Sequence, residues 1–167
     1  KQGHQPTTTM FNNLLQFYQK KKNLKMVLQF WNELMQSSSA SPNLISFGSV
    51  IHAYADRGDQ KNAAALLNKM NEMGIVPNNT ILTHVIHAHC KSGDTAGAVA
   101  IFEDIESKYA LKPDIIACNI ILGAQARVGN VKSVMSLIEK MERQNITPDT
   151  VSHSAAIQAF ARNGQGE

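Results

Sequence analysis

Gly74-Ile75-Val76-Pro77-Asn78 reads as a turn: a flexible glycine, then a Pro-Asn pair ahead of an apolar run. The same layout recurs along the chain. The five prolines Pro6, Pro42, Pro77, Pro113 and Pro148 follow one another at steps of 36, 35, 36 and 35 residues. Gly58, Gly93, Gly129 and Gly164 keep steps of 35, 36 and 35. A fixed period of this length marks an array of repeats rather than one globular core.

Opening each unit two residues after its proline divides the chain into 8–43, 44–78, 79–114, 115–149 and 150–167, with 1–7 as the tail of a preceding unit. The first half of each unit carries apolar residues at i, i+3, i+4 and i+7. They are Phe11, Leu14, Leu15 and Tyr18, then Phe47, Val50, Ile51 and Tyr54. Leu82, Val85, Ile86 and His89 follow, then Cys118, Ile121 and Leu122. This spacing lines one face of a helix. Small residues fill the adjoining stripe, among them Ala53, Ala55, Ala88, Cys90, Ala124, Ala126, Ala159 and Ala161. Such a stripe lets neighbouring helices approach closely.

Gly58-Asp59, Gly93-Asp94 and Gly129-Asn130 then supply a left-handed helix stop and the N-cap of a second helix. Unit one has Lys22-Asn23 there, keeping the cap without the glycine. The second helices repeat the apolar pattern, as in Val27, Phe30, Trp31 and Leu34, or Val134, Leu137, Ile138 and Met141. Each unit is therefore a helical hairpin. One hairpin cannot bury both stripes, but a stack can, so the expected fold is an all-α solenoid. The last unit lacks its second helix, so the natural chain is expected to continue in both directions.

Composition bounds the function. Charged residues make up 17% and aromatics 6%, with a net charge of +3, which suits an anionic partner without demanding one. The sequence has no run of eighteen apolar residues, so no membrane-spanning helix is expected. Cys90 and Cys118 read as small fillers of helix interfaces rather than a disulfide framework. His84, His87, His89 and Cys90 lie close together, but His89 falls on the apolar stripe and turns away from the other two histidines. No metal, cofactor, catalytic group or small-molecule substrate is expected in this segment.

The 35-residue step, the Gly-x-x-Pro-Asp/Asn unit ends and stretches such as Asn68-Lys69-Met70-Asn71-Glu72-Met73-Gly74 resemble pentatricopeptide repeats over essentially the whole chain. So does the helix opening Ile116-Ala117-Cys118-Asn119-Ile120-Ile121-Leu122. The resemblance implies a right-handed superhelix whose first helices hold single-stranded RNA, one base per repeat. It implies base-selecting pairs formed by a first-turn residue and the last residue of the unit. Here these are Asn12 with Asn43, Gly48 with Asn78, Thr83 with Asp114, and Asn119 with Asp149; Ser154 opens a fifth pair. The implied preferences are a pyrimidine, guanine and uracil for the first, third and fourth pairs. Gly48 departs from the pattern, since it has no side chain to read a base. Thr9, Ile45, Thr80, Ile116 and Val151 would sandwich the bases, with the two threonines weaker than the aliphatics.

Lys20, Lys91, Arg127 and Arg162 recur near the end of the first helix, where a cation can meet phosphate. Unit two has Asp56 at that place, followed by Arg57. A plainer reading is available for all of them: cations are favoured at helix C-termini in any case. The resemblance implies organellar RNA binding in a mitochondrion or chloroplast, serving RNA processing, stability or translation. Two alternatives are a scaffold subunit of an organellar ribonucleoprotein, such as a mitochondrial ribosome, and the RNA-docking part of a larger processing enzyme.

Overall fold

The computed structural model describes residues 6–164. The expected Gly3-His4-Gln5 tail lies outside the described residues. Nine helices and no strands occur among the described residues. They are α1 (Thr8–Lys20), α2 (Leu24–Gln36), α3 (Leu44–Ala55), α4 (Gln60–Glu72), α5 (Asn79–Ser92), α6 (Thr95–Ser107), α7 (Ile115–Arg127), α8 (Val131–Arg143) and α9 (Thr150–Asn163).

The odd-numbered helices form one continuous row, α1 on α3, α3 on α5, α5 on α7 and α7 on α9. Each even-numbered helix packs on the helix before it and the helix after it, and α6 also meets α8 through the Lys140–Glu106 ion pair at 2.5 Å. The fold is thus a two-layer α-solenoid. Small side chains permit the close inner row: Ala53, Ala55, Ala88, Cys90, Ala124, Ala126 and Ala159 are all buried. The second-helix stripes Val27, Trp31 and Leu34, then Ala63, Leu67 and Met70, Ala98, Phe102 and Ile105, and Val134, Ile138 and Met141 are buried against it.

The array ends account for the two departures from the expected stripes. Leu14 is half-exposed while its repeat equivalents Val50, Val85 and Ile121 are buried. Ala161 is exposed while Ala55, Cys90 and Ala126 are buried. Within the described residues no helix precedes α1 or follows α9, so these faces have nothing to pack on.

The hairpin turns follow the cap chemistry. Gly58, Gly93 and Gly129 take φ of +70°, +87° and +70°. In unit one Lys22 adopts φ 54° at the same place, a left-handed conformation held without glycine. Asn23, Asp59, Asp94 and Asn130 then accept backbone N–H groups of α2, α4, α6 and α8.

Gly97 is held by a separate constraint. Asp94 Oδ1 accepts the Gly97 N–H at 2.9 Å, and Asp94 Oδ2 meets His89 Nδ1 at 2.9 Å. A methyl group at residue 97 would collide with both the Asp94 carboxylate and the His89 ring. Glycine to alanine inside a helix ordinarily stabilises by up to about 1 kcal/mol. Gly97→Ala is instead expected to destabilise by about 1 kcal/mol, because displacing Asp94 removes a helix cap and unpairs a half-buried imidazole. Urea denaturation of the two proteins measures the sign directly.

Candidate nucleic-acid interface

The inner row of helices presents the residues at the first turn of each odd-numbered helix along one groove. The last residue of each sequence unit is also the N-cap of the next inner helix. Asn43 Oδ1 accepts from the N–H groups of Ile45 and Ser46, Asn78 Oδ1 from Ile81, Asp114 Oδ1 from Ala117, and Asp149 Oδ1 from Ser152. Capping therefore fixes the direction of these side chains before any ligand arrives.

Two of the expected pairs are joined directly. Asn12 Nδ2 donates to Asn43 Oδ1 at 3.2 Å, and Asn119 Nδ2 donates to the two Asp149 oxygens at 3.1 and 3.2 Å. The capping oxygens can only accept here, so each asparagine must turn its NH2 toward them. Its carbonyl then faces a serine of the next helix: Ser46 Oγ donates to Asn12 Oδ1, and Ser152 Oγ to Asn119 Oδ1, each at 2.6 Å. Each amide keeps one N–H and one lone pair for a ligand. Ser46 and Ser152 are fully buried, and sequence reasoning missed them. Their signal was a serine at the third helical residue after the capping Asn or Asp, present at these two joins and replaced by Ile81 and Ala117 at the others.

The third pair is arranged differently. The Thr83 hydroxyl is buried and has no hydrogen-bond partner among the described residues. Asp114 caps α7 at 2.8 Å without touching it. Threonine is shorter than asparagine, and Ala117 offers no hydroxyl to bridge the gap. The second pair has no reader side chain, and Asn78 is exposed. Ser154 turns its hydroxyl back onto the Thr150 carbonyl at 2.7 Å, within its own helix.

Thr9 and Thr80 are exposed. Ile45, Ile116 and Val151 are 48%, 60% and 57% exposed, so three aliphatic side chains stand in solvent at repeat spacing. Lys20, Arg57, Lys91, Arg127 and Arg162 are also exposed. Two of them link neighbouring units: Lys91 Nζ donates to the Asp56 carbonyl, and Arg162 Nη1 to the Arg127 carbonyl. Each satisfies a carbonyl at the C-terminus of the preceding inner helix and keeps further donors free. A cleft of about 480 Å³ gathers His87, Lys91, Asn119 and Arg127 between α5 and α7.

Charge states follow from the surroundings. The Ser152 backbone N–H, ahead of the Asn119 and Ser152 side chains, holds the Asp149 carboxyl below its ordinary pKa, so Asp149 stays an acceptor. Burial pushes both cysteine thiols up to about 11, which keeps them protonated and inert. His84 stacks on His52, His87 lines the cleft between α5 and α7, His89 pairs with Asp94, and Cys90 is buried in the core. No helix among the described residues is long and apolar enough to cross a membrane.

A two-layer solenoid of helical hairpins, with capping Asn or Asp residues paired to first-turn polar side chains, defines a helical-repeat protein built to present a groove. The chain belongs to the pentatricopeptide repeat family. The family models described as pentatricopeptide repeat domain (residues 1–57 and 33–82), PPR repeat (80–109) and PPR repeat family (113–162) match along it.

Among relatives in Arabidopsis thaliana, pentatricopeptide repeat-containing protein At5g25630 is 23% identical across 98% of this chain and 29% of its own length. The small ribosomal subunit protein mL103 (rPPR7) is 27% identical across 97% of this chain and 39% of its own. The chain thus spans well under half of these relatives. Other relatives there carry chloroplastic or mitochondrial in their names. The fold matches the pentatricopeptide repeat protein PPR10 in complex with an 18-nt psaJ RNA element, with TM-score 0.79 and 22% identity over 99% of this chain and 24% of that one. It also matches the PPR domain of Arabidopsis thaliana protein-only RNase P 1 in complex with tRNA, with TM-score 0.81 and 14% identity over 94% and 82%.

Proposed function

We propose that this segment binds single-stranded RNA along the groove of α1, α3, α5, α7 and α9, in a mitochondrion or chloroplast, and acts there without chemistry of its own. The observation that carries this reading is the repeated polar pair, Asn12–Asn43 and Asn119–Asp149, held in the groove with hydrogen-bonding capacity unspent. Exposed Ile45, Ile116 and Val151 supply apolar surface for base faces, and the row of exposed cations supplies phosphate contacts. Unit one would take a pyrimidine, unit three guanine through Thr83 and Asp114, and unit four uracil. The buried, unpartnered Thr83 hydroxyl supports a polar ligand at unit three.

The test is selection from a random RNA pool. Guanine followed by uracil at adjacent positions is the expected enrichment. Asn119→Ser combined with Asp149→Asn is then expected to change preference by about tenfold at one base, leaving the others as they were. A uniform loss of binding would remove base reading at unit four.

The likeness to mL103 supports a second reading, a scaffold subunit of an organellar ribonucleoprotein. That reading gains if the pool yields no motif while duplex RNA or protein binds. The likeness to RNase P domains supports a third, in which the segment docks RNA for a catalytic domain elsewhere in a longer chain.

A further inference from the structure

Unit two lacks a base-reading side chain, yet a cleft opens beside it in the groove. A cavity of about 420 Å³ lies between α1, α3 and α5. Its lining includes Ile45, Gly48, Asn78 and Thr80, the whole base site that resemblance assigns to this unit. It also includes His52 and His84, whose rings stack with centroids 4.1 Å apart and planes 12° from parallel.

The two departures coincide. His52 lies one helical turn beyond Gly48 on α3, and His84 comes from the facing helix α5. At the equivalent places the other joins have Gln16 with Ser49, His87 with Ile120, and Gly123 with Ala155. Of these four position pairs, only the one beside the glycine reader brings two rings together. The missing side chain at residue 48 opens a path to them.

We propose that unit two is a purine-selective position, with the His52–His84 stack reading the base edge in place of the absent side chain. This rests on the RNA reading above. A pyrimidine held between Ile45 and Thr80 ends where a normal reader would stand, leaving the imidazoles unreached. A purine is longer by a fused ring and extends through the space vacated at Gly48. Asn78 remains the second reader: its Oδ1 caps Ile81 at 3.1 Å, and its amide N–H groups make no hydrogen bond among the described residues. His84 makes none either, and burial, followed by the neighbouring His52 and His87 charges, lowers its pKa to about 4. It is therefore a neutral ring offering one donor and one acceptor, suited to a base edge rather than a phosphate.

The experiment uses four single-stranded RNAs, pyrimidine–N–guanine–uracil, that differ only at N, titrated against the chain. Adenine and guanine at N are expected to bind roughly five- to tenfold tighter than cytosine and uracil. Gly48→Asn is sterically open, since an added Cβ meets only the Ile81 side chain at 3.7 and 3.8 Å. It refills the path and is expected to abolish the purine preference while pyrimidine-containing RNA still binds. His84→Gln and His52→Gln are expected to reduce the same preference without altering selectivity for the guanine or the uracil. Equal affinity for the four bases, or a pyrimidine preference, overturns the proposal. So does a purine preference that survives in both histidine variants. Failure to bind any of the four RNAs overturns the RNA reading itself, and this proposal with it.

Discussion

Phe47→Ala is expected to lower stability by about 3–5 kcal/mol, the range for emptying a buried aromatic site. Phe47 is fully buried on α3 and meets Trp31 of α2 edge-on, with ring centroids 4.9 Å apart and planes at 69°. The pair sits at the join between units one and two. Its loss therefore removes part of an interface as well as core volume, including an aromatic contact worth about 1 kcal/mol. In a solenoid each unit leans only on its neighbours, so damage at one join separates the array. Hydrogen exchange is expected to accelerate more in α1 and α2 than in α7, α8 and α9. Phe47→Leu keeps most of the volume and should cost well under half as much. A loss below about 1 kcal/mol, or uniform acceleration along the chain, would contradict a join-centred core.

The fold was legible because its determinants are local and repeated. Apolar spacing, a glycine or asparagine at the hairpin turn and a capping Asn, Asp or Thr after each proline all act within a few residues of one another. Repetition let one unit check the next. The site was legible only as far as repeat position carries. His52 and His87 occupy the same repeat position, but the ring that stacks on His52 is His84. Adjacent inner helices meet through different faces, so a side chain touches a different repeat position of its neighbour, and sequence register alone hides this. The Ser46 and Ser152 bridges span 34 and 33 residues and likewise join different repeat positions. Lys91 and Arg162 stood out as groove cations, while their hold on the preceding helix end became visible only in three dimensions.

The His52–His84 stack carries the other large expected effect, a loss of about 2 kcal/mol of stability between pH 7 and pH 5. His84 has an ordinary pKa of 6.5 and is lowered to about 4 in the fold, by burial first and by His52 and His87 next, with Asp56 opposing. Burial likewise lowers His87, with Lys91 as the next cause. Below pH 6.5 the unfolded chain takes up a proton that folded His84 refuses. The unfolded state then binds more protons, so stability rises with pH across this window and falls on acidification. The contribution is complete above pH 6.5 and is lost progressively as pH drops toward 4. Glu106 and Asp94 have lowered carboxyl pKa values, so their losses begin below about 4.5 and leave the window to the histidines. Urea midpoints at pH 7, 6 and 5 should fall steadily, and His84→Gln should flatten most of that slope. A midpoint that stays constant to pH 5, or an equal slope in the variant, would show that His84 protonates in place. The neutral imidazole assigned to unit two's base site would then lose its physical basis, since a cationic ring favours phosphate over a base edge.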